Sequence, residues 1–139
     1  MMTDIGVAGR LRFILQYHEM CFQKGKPPMF YKRNSNGYKQ VLTGIQLKTL
    51  VYGDKTLFTE FRLEQGSQLP PHAHPQEQTG YLIAGRIRLF IGDEVFEVEP
   101  GDSWCVLSNV EHRAEILADS VAIEVFSPVR EDYLPNRSA

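Results

Sequence analysis

His72 and His74 stand one residue apart in the stretch Gly66-Ser-Gln-Leu-Pro-Pro-His72-Ala-His74-Pro-Gln-Glu77-Gln78. A third histidine, His112, follows the turn signal Pro100-Gly101-Asp102, and the chain has only four histidines in all. Side chains alternate faces along a β-strand, so residues two apart point the same way. His-x-His on a strand therefore aims two imidazoles at one point. Gln78 follows closely enough to add a carboxamide oxygen, and His112 arrives from a strand elsewhere. Three nitrogens and one oxygen suit a divalent transition metal with positions left open for a ligand. Glu77 is the rival oxygen donor. It faces away from Gln78 on a regular strand, and a β-bulge would exchange the two. The plain alternative is a set of histidines that only pack in the core or face solvent.

A carboxamide is neutral, so a metal held by Gln78 and three imidazoles keeps its full charge. Such a centre is a strong Lewis acid and attracts an anionic ligand, which favours a carboxylate-bearing substrate.

Two more residues carry chemistry near the C-terminus, in Val121-Ala-Ile-Glu124-Val-Phe126-Ser-Pro-Val-Arg130. Ala122, Glu124 and Phe126 share one strand face, and Val121, Ile123 and Val125 share the other. Both faces are mostly apolar, so the strand reads as buried on both sides. An unpaired Glu there is costly, which makes Glu124 a candidate proton carrier with a raised pKa. The structural alternative is a Glu124–arginine pair. Arg130, just past Pro128, has the planar fork that grips a carboxylate at two points. A solvated surface arginine is its alternative. Phe126 reads as core.

The elements that must position these groups are short strands. At 139 residues the chain has the length of one domain, and 42% hydrophobic content fits an ordinary soluble globular protein. The pattern predicts strands at Tyr38–Thr43, Gln46–Tyr52, Leu57–Leu63, Thr79–Ala84, Ile87–Ile91, Val95–Val98, Trp104–Leu107, Arg113–Leu117 and Val121–Phe126, with a hairpin turn at Gly92-Asp93. Repeated short strands with little helix predict a sandwich or barrel. Before them, Val7, Leu11, Ile14, His18 and Phe22 recur at helical spacing, and Gly25-Lys-Pro27-Pro28 ends that pattern. The expected division is a helical extension over residues 1–28 and a β-barrel domain over 29–139.

A net charge of −2 leaves no footprint for nucleic acid or an anionic membrane, and no apolar run reaches spanning length. Cys21 and Cys105 form no motif and are expected as free buried thiols in a reducing compartment, with the cytoplasm as the expected location.

Two segments resemble the paired motifs of the cupin superfamily. Gly66, His72, His74, Gln78 and Gly85 keep the first motif's spacing, with Gln78 where an acidic ligand is usual. Gly101 and His112 keep the second, with Leu107 at the usual proline, Asn109 at the usual glycine and Ile116 where an asparagine sometimes stands. Asn tolerates left-handed backbone, so the Asn109 change is mild. The resemblance implies an all-β, small jelly-roll β-barrel holding one divalent transition metal (nickel, zinc, iron, manganese or copper) on His72, His74, Gln78 and His112.

The tail is similar to one branch of small cupins, the pectin-degradation type. Glu124, Phe126, Ser127-Pro128-Val129-Arg130 and Asp132-Tyr133-Leu134 carry that likeness, as does Ser108-Asn109-Val110-Glu111-His112. It implies ring opening of a 4,5-unsaturated uronate to the linear keto form, with Glu124 and Arg130 as catalytic residues. That branch usually has Asp where Glu124 stands, one methylene shorter. A dioxygenase-type cupin and a non-catalytic sugar-binding or ligand-sensing module are the other functions carried forward. The partners expected are a small anionic substrate and a second copy in a homodimer, with neither nucleic acid nor membrane.

Overall fold

Apolar residues at every second position need a partner layer, and here the chain supplies it by bending its two longest strands. The computed structural model describes residues 27–135. Its elements are β1 Lys39–Leu42, β2 Ile45–Tyr52, β3 Leu57–Leu63, β4 Gln68–His72, β5 Glu77–Ile91, β6 Glu94–Val98, β7 Ser103–Val106 and β8 His112–Ser127, followed by a 3-10 turn at Glu131–Tyr133. The expected helix over Val7 to Phe22 lies outside the described residues. No helix among those described is long and apolar enough to cross a membrane.

β5 and β8 pair antiparallel along nearly their whole length, from Glu77 opposite Ser127 to Ile91 opposite His112. The first half of β5 also pairs with β7, and its second half pairs with β6. The second half of β8 pairs with β3, and its first half with β4. Each long strand thus belongs to two layers: β1-β2-β3-β8-β5-β7 on one side and β4-β8-β5-β6 on the other. This is the antiparallel jelly-roll barrel.

The bend sits at Gly85, where the β5–β8 register shifts. Gly85 has φ of +92°, and a β-carbon there would stand 2.3 Å from the Asp119 carbonyl and 2.1 Å from Ser120 Oγ. Any side chain would force the corner apart. Ser120 Oγ closes the corner by accepting from the Arg86 N–H at 3.0 Å and donating to the Ala118 carbonyl at 2.6 Å.

Four sequence expectations change here. Thr79–Ala84 and Ile87–Ile91 are one strand, because Gly85 bends the chain without ending its pairing. Arg113–Leu117 and Val121–Phe126 are likewise one strand, since Ala118 and Ser120 stay in the corner network. β4 was expected only as a strand carrying His72 and His74, and it runs instead over Gln68–His72. Pro70 and Pro71 argue against a strand, yet prolines are tolerated on a strand that pairs along one side, and β4 pairs only with β8. Finally, β8 is not buried on both faces. Ala122 and Phe126 are buried inward, whereas Val121, Ile123 and Val125 are only half-buried on the outside beside exposed Tyr81 and Ile83.

The inward face forms one core, including Leu57, Leu82, Ile87, Ile116 and Phe126. Each such side chain contributes roughly 1.5–3 kcal/mol on burial. Cys105 faces out, an exposed free thiol where a buried one was expected, because Trp104 and Val106 take the inward positions of β7.

Candidate metal centre

β4 and β8 bring the first two rings together directly, since His72 and His112 are register partners. Their ring centroids are 4.1 Å apart. His74 reaches the same point differently from the expectation. β4 ends at His72, so His74 lies in the loop beyond it and strand alternation does not aim it. The loop is held instead by the second motif. The Asn109 N–H donates to the His74 carbonyl at 2.8 Å, and Ser108 Oγ donates to the Pro75 carbonyl at 2.6 Å. Asn109 does so from the left-handed region, with φ of 61°, as its place in the motif requires.

One nitrogen of each of the three rings lies within 4.8 Å of the other two. Every Nδ1 faces a backbone carbonyl: Pro70 for His72 at 2.9 Å, Gln76 for His74 at 3.0 Å, and Val110 for His112 at 2.9 Å. A carbonyl only accepts, so each Nδ1 keeps its proton and each Nε2 offers a lone pair. This is the orientation that outer-shell partners impose on metal-binding histidines. Burial lowers the pKa of His74, and it pushes His112 down to about 4, with the Arg130 charge acting in the same direction. Both rings are therefore neutral near pH 7 and able to ligate.

Two observations test whether a cation fits. His112 Nε2 is buried with no hydrogen-bond partner. Gln78 is also buried, and its Oε1 lies 3.0 Å from His74 Nε2. Neutral His74 has one proton and faces two oxygens, Gln76 O and Gln78 Oε1. One nitrogen lone pair must then oppose an oxygen lone pair, and a cation between them removes that repulsion. The three histidines are positioned to bind a metal ion. Glu77, by contrast, is exposed, and Gln78 takes the inward place because β5 runs without a bulge there.

A cavity adjoins this centre. His72, Gln78 and His112 line it, together with Trp104, Glu124, Phe126, Arg130 and Tyr133. Burial raises the Glu124 carboxyl from its ordinary 4.5 to about 7, while the Gln78 amide, the Trp104 indole and Arg130 oppose that rise. Arg130 is not a solvated surface arginine, since its side chain is 15% exposed. Its guanidinium stacks on the Tyr133 ring at 3.9 Å. Its Nε and Nη2 hold the two Asp132 oxygens at 3.1 and 3.0 Å, so the two-point grip expected for a ligand is taken by Asp132. Asp132 itself is 61% exposed.

Trp104 was not singled out from the sequence, and Tyr133 was named only within the tail that resembles the pectin-degradation branch. Trp104 sits on a short strand whose inward face was legible, but its neighbours depend on cross-strand register. Tyr133 is swung back by the 3-10 turn to meet Phe126 edge-on at 5.5 Å. Burial pushes its phenol up to about 12, so it stays protonated.

Residues 59–127 match the family model described as the cupin domain. No curated protein matches the chain. Among solved structures, KdgF from Halomonas sp. superposes with a TM-score of 0.72 at 28% identity, covering 76% of this chain and 100% of that one. An RmlC-like cupin from Shewanella frigidimarina NCIMB 400 also gives 0.72, at 21% identity, covering 77% of this chain and 97% of the other. The salicylate 1,2-dioxygenase of Pseudoaminobacter salicylatoxidans, in complex with gentisate, shares the fold at a TM-score of 0.60 and 17% identity, over 63% of this chain and 26% of that one. With its motifs, its jelly-roll barrel and its three converging histidines, the chain belongs to the cupin superfamily as a small cupin that resembles the pectin-degradation branch.

Proposed function

We propose that this cupin is a metal-dependent enzyme that opens the ring of a 4,5-unsaturated uronate to its linear keto form. The observation that carries this is a carboxyl, Glu124, lining the same cavity as the three-histidine centre, with Arg130 beside it. The ligand set is His72, His74, His112 and the Gln78 oxygen. A divalent ion bound there would supply Lewis-acid polarisation of the sugar's oxygens.

The reaction is an isomerisation. The anomeric hydroxyl loses its proton, the bond from C1 to the ring oxygen breaks, and C1 becomes an aldehyde. The enol released at C5 becomes a ketone when C4 gains a proton. Neither oxidant nor water is consumed. Glu124 takes the first proton and returns one at C4. A carboxyl titrating near 7 serves both directions at neutral pH. Arg130 holds the substrate carboxylate by exchanging its exposed partner Asp132 for it. The methylene that distinguishes Glu124 from the Asp usual in this branch shifts the proton carrier, so the preferred substrate within the uronate class differs.

The test is elemental analysis of the purified protein, then an ultraviolet assay on unsaturated monouronates from a pectate lyase digest. Loss of the alkene absorbance at a rate proportional to protein is expected. No decay above background with metal-replete protein would remove ring opening, and oxygen uptake in its place would support the dioxygenase alternative.

Arg130→Ala separates binding from chemistry. Losing a charge-assisted contact costs about 1.5–3 kcal/mol, so the KM for the uronate is expected to rise roughly ten- to hundredfold with metal content unchanged. An unaltered KM would take Arg130 out of the site.

A further inference from the structure

Thr59, Glu124, Gly80 and Trp104 form one row across the inner face, each register-paired with the next on β3, β8, β5 and β7. Gly80 is the gap in that row. A β-carbon built on it would stand 2.2 Å from Trp104 Cε2, 2.3 Å from Cζ2 and 2.4 Å from Nε1. The indole therefore lies across β5 where any other residue would place a side chain, and its nitrogen edge is turned over the residue paired with Glu124. Trp104 Nε1 is buried and makes no hydrogen bond of normal geometry, although the Glu124 carboxyl, which lines the same cavity, stands close to it. A buried donor whose bond stays incomplete has lost its water for little return, which proteins avoid unless something else completes the bond.

We infer that the Trp104 indole N–H is a ligand-binding donor that grips a hydroxyl or ring oxygen of a small polyhydroxylated carboxylate, holding that oxygen against Glu124. It rests on the ring-opening function proposed above for the identity of that oxygen. The donor also explains the glycine at position 80. The ring must cross the strand to bring its nitrogen to the cavity, and only an absent side chain allows it.

Trp104 is the only tryptophan in the chain, so indole emission reports this position alone. D-Galacturonate, a saturated uronate, is titrated into zinc-loaded protein while emission and calorimetric heat are followed. The emission is expected to shift saturably, with the midpoint that calorimetry gives. Trp104→Phe keeps a ring over Gly80 and removes the N–H. Its galacturonate affinity is expected to fall about three- to tenfold, with zinc content and melting temperature retained. Flat emission, or a Phe variant that binds as tightly as the native protein, overturns the assignment. Should the variant fail to fold, the emission titration of the native protein decides. Turnover of the unsaturated uronate is measured alongside. An emission response without turnover removes ring opening and keeps the donor, and turnover with flat emission does the reverse.

Discussion

Replacing His72 and His74 together with alanine is expected to strip the protein of metal while leaving the barrel folded. The native site offers three imidazole lone pairs and one amide oxygen, each ring held by its own backbone carbonyl. Full tetrahedral sites bind with about 10–16 kcal/mol, so removing two of four donors costs on the order of half, about 5–8 kcal/mol, or at least several-thousandfold in affinity. The fold survives because neither ring belongs to the central core cluster, and His72 is half-buried at the end of β4. Loss of half-buried His72 and buried His74 costs about 1–3 kcal/mol of stability apiece. His112 is the poorer choice for this experiment. It is 2% exposed, and deleting it would open a void in the barrel as well as remove a ligand. Elemental analysis after gel filtration, with a thermal melt on the same sample, reads both effects. Stoichiometric metal in the double variant would end the assignment.

Glu124→Gln is expected to keep the metal and the fold and to lower kcat by about a hundred- to ten-thousandfold, the span typical of a positioned acid–base group. The exchange keeps size and hydrogen-bonding shape, so it removes the proton function with little else. A structural Glu124 would behave differently, changing the melt and sparing turnover. A second readout comes from linkage in metal-free protein. Burial raises the folded carboxyl to about 7, above its ordinary 4.5. The folded state then holds a proton that the unfolded state has released, and stability falls as pH rises through that interval. The Gln variant lacks this group, so its melting temperature should decline less between pH 4.5 and 7 than that of the native protein. Turnover equal to the native rate would make Glu124 a packing residue.

Much of the site was legible from local pattern. His72, His74 and Gln78 were recognisable by type and spacing, and β3 over Leu57–Leu63 by strict alternation, because both depend on neighbours a few residues apart along the chain, while His112 was recognisable by its place after the Pro100-Gly101-Asp102 turn. Asn109 was readable for the same reason, since tolerance of left-handed backbone belongs to the residue itself. The way His74 enters was not readable. Its loop is fastened by Ser108 and Asn109, more than thirty positions further along.

Single-chain pattern also misjudged where strands stop. Gly85 reads as a terminator, yet as a corner it lets β5 serve both layers, and the prolines of β4 are harmless because β8 pairs with only one of its sides. The sequence by itself determined the donor chemistry, the β class and the hairpin turn at Gly92-Asp93, all set by side-chain type and short-range backbone preference. Only the tertiary structure decided which groups face one another: Glu124 beside Gln78, Trp104 over Gly80, and Arg130 clasped by Asp132 under Tyr133. Those meetings follow from cross-strand register and from the bend of two long strands, and register is a property of pairing between distant segments, which no single segment carries.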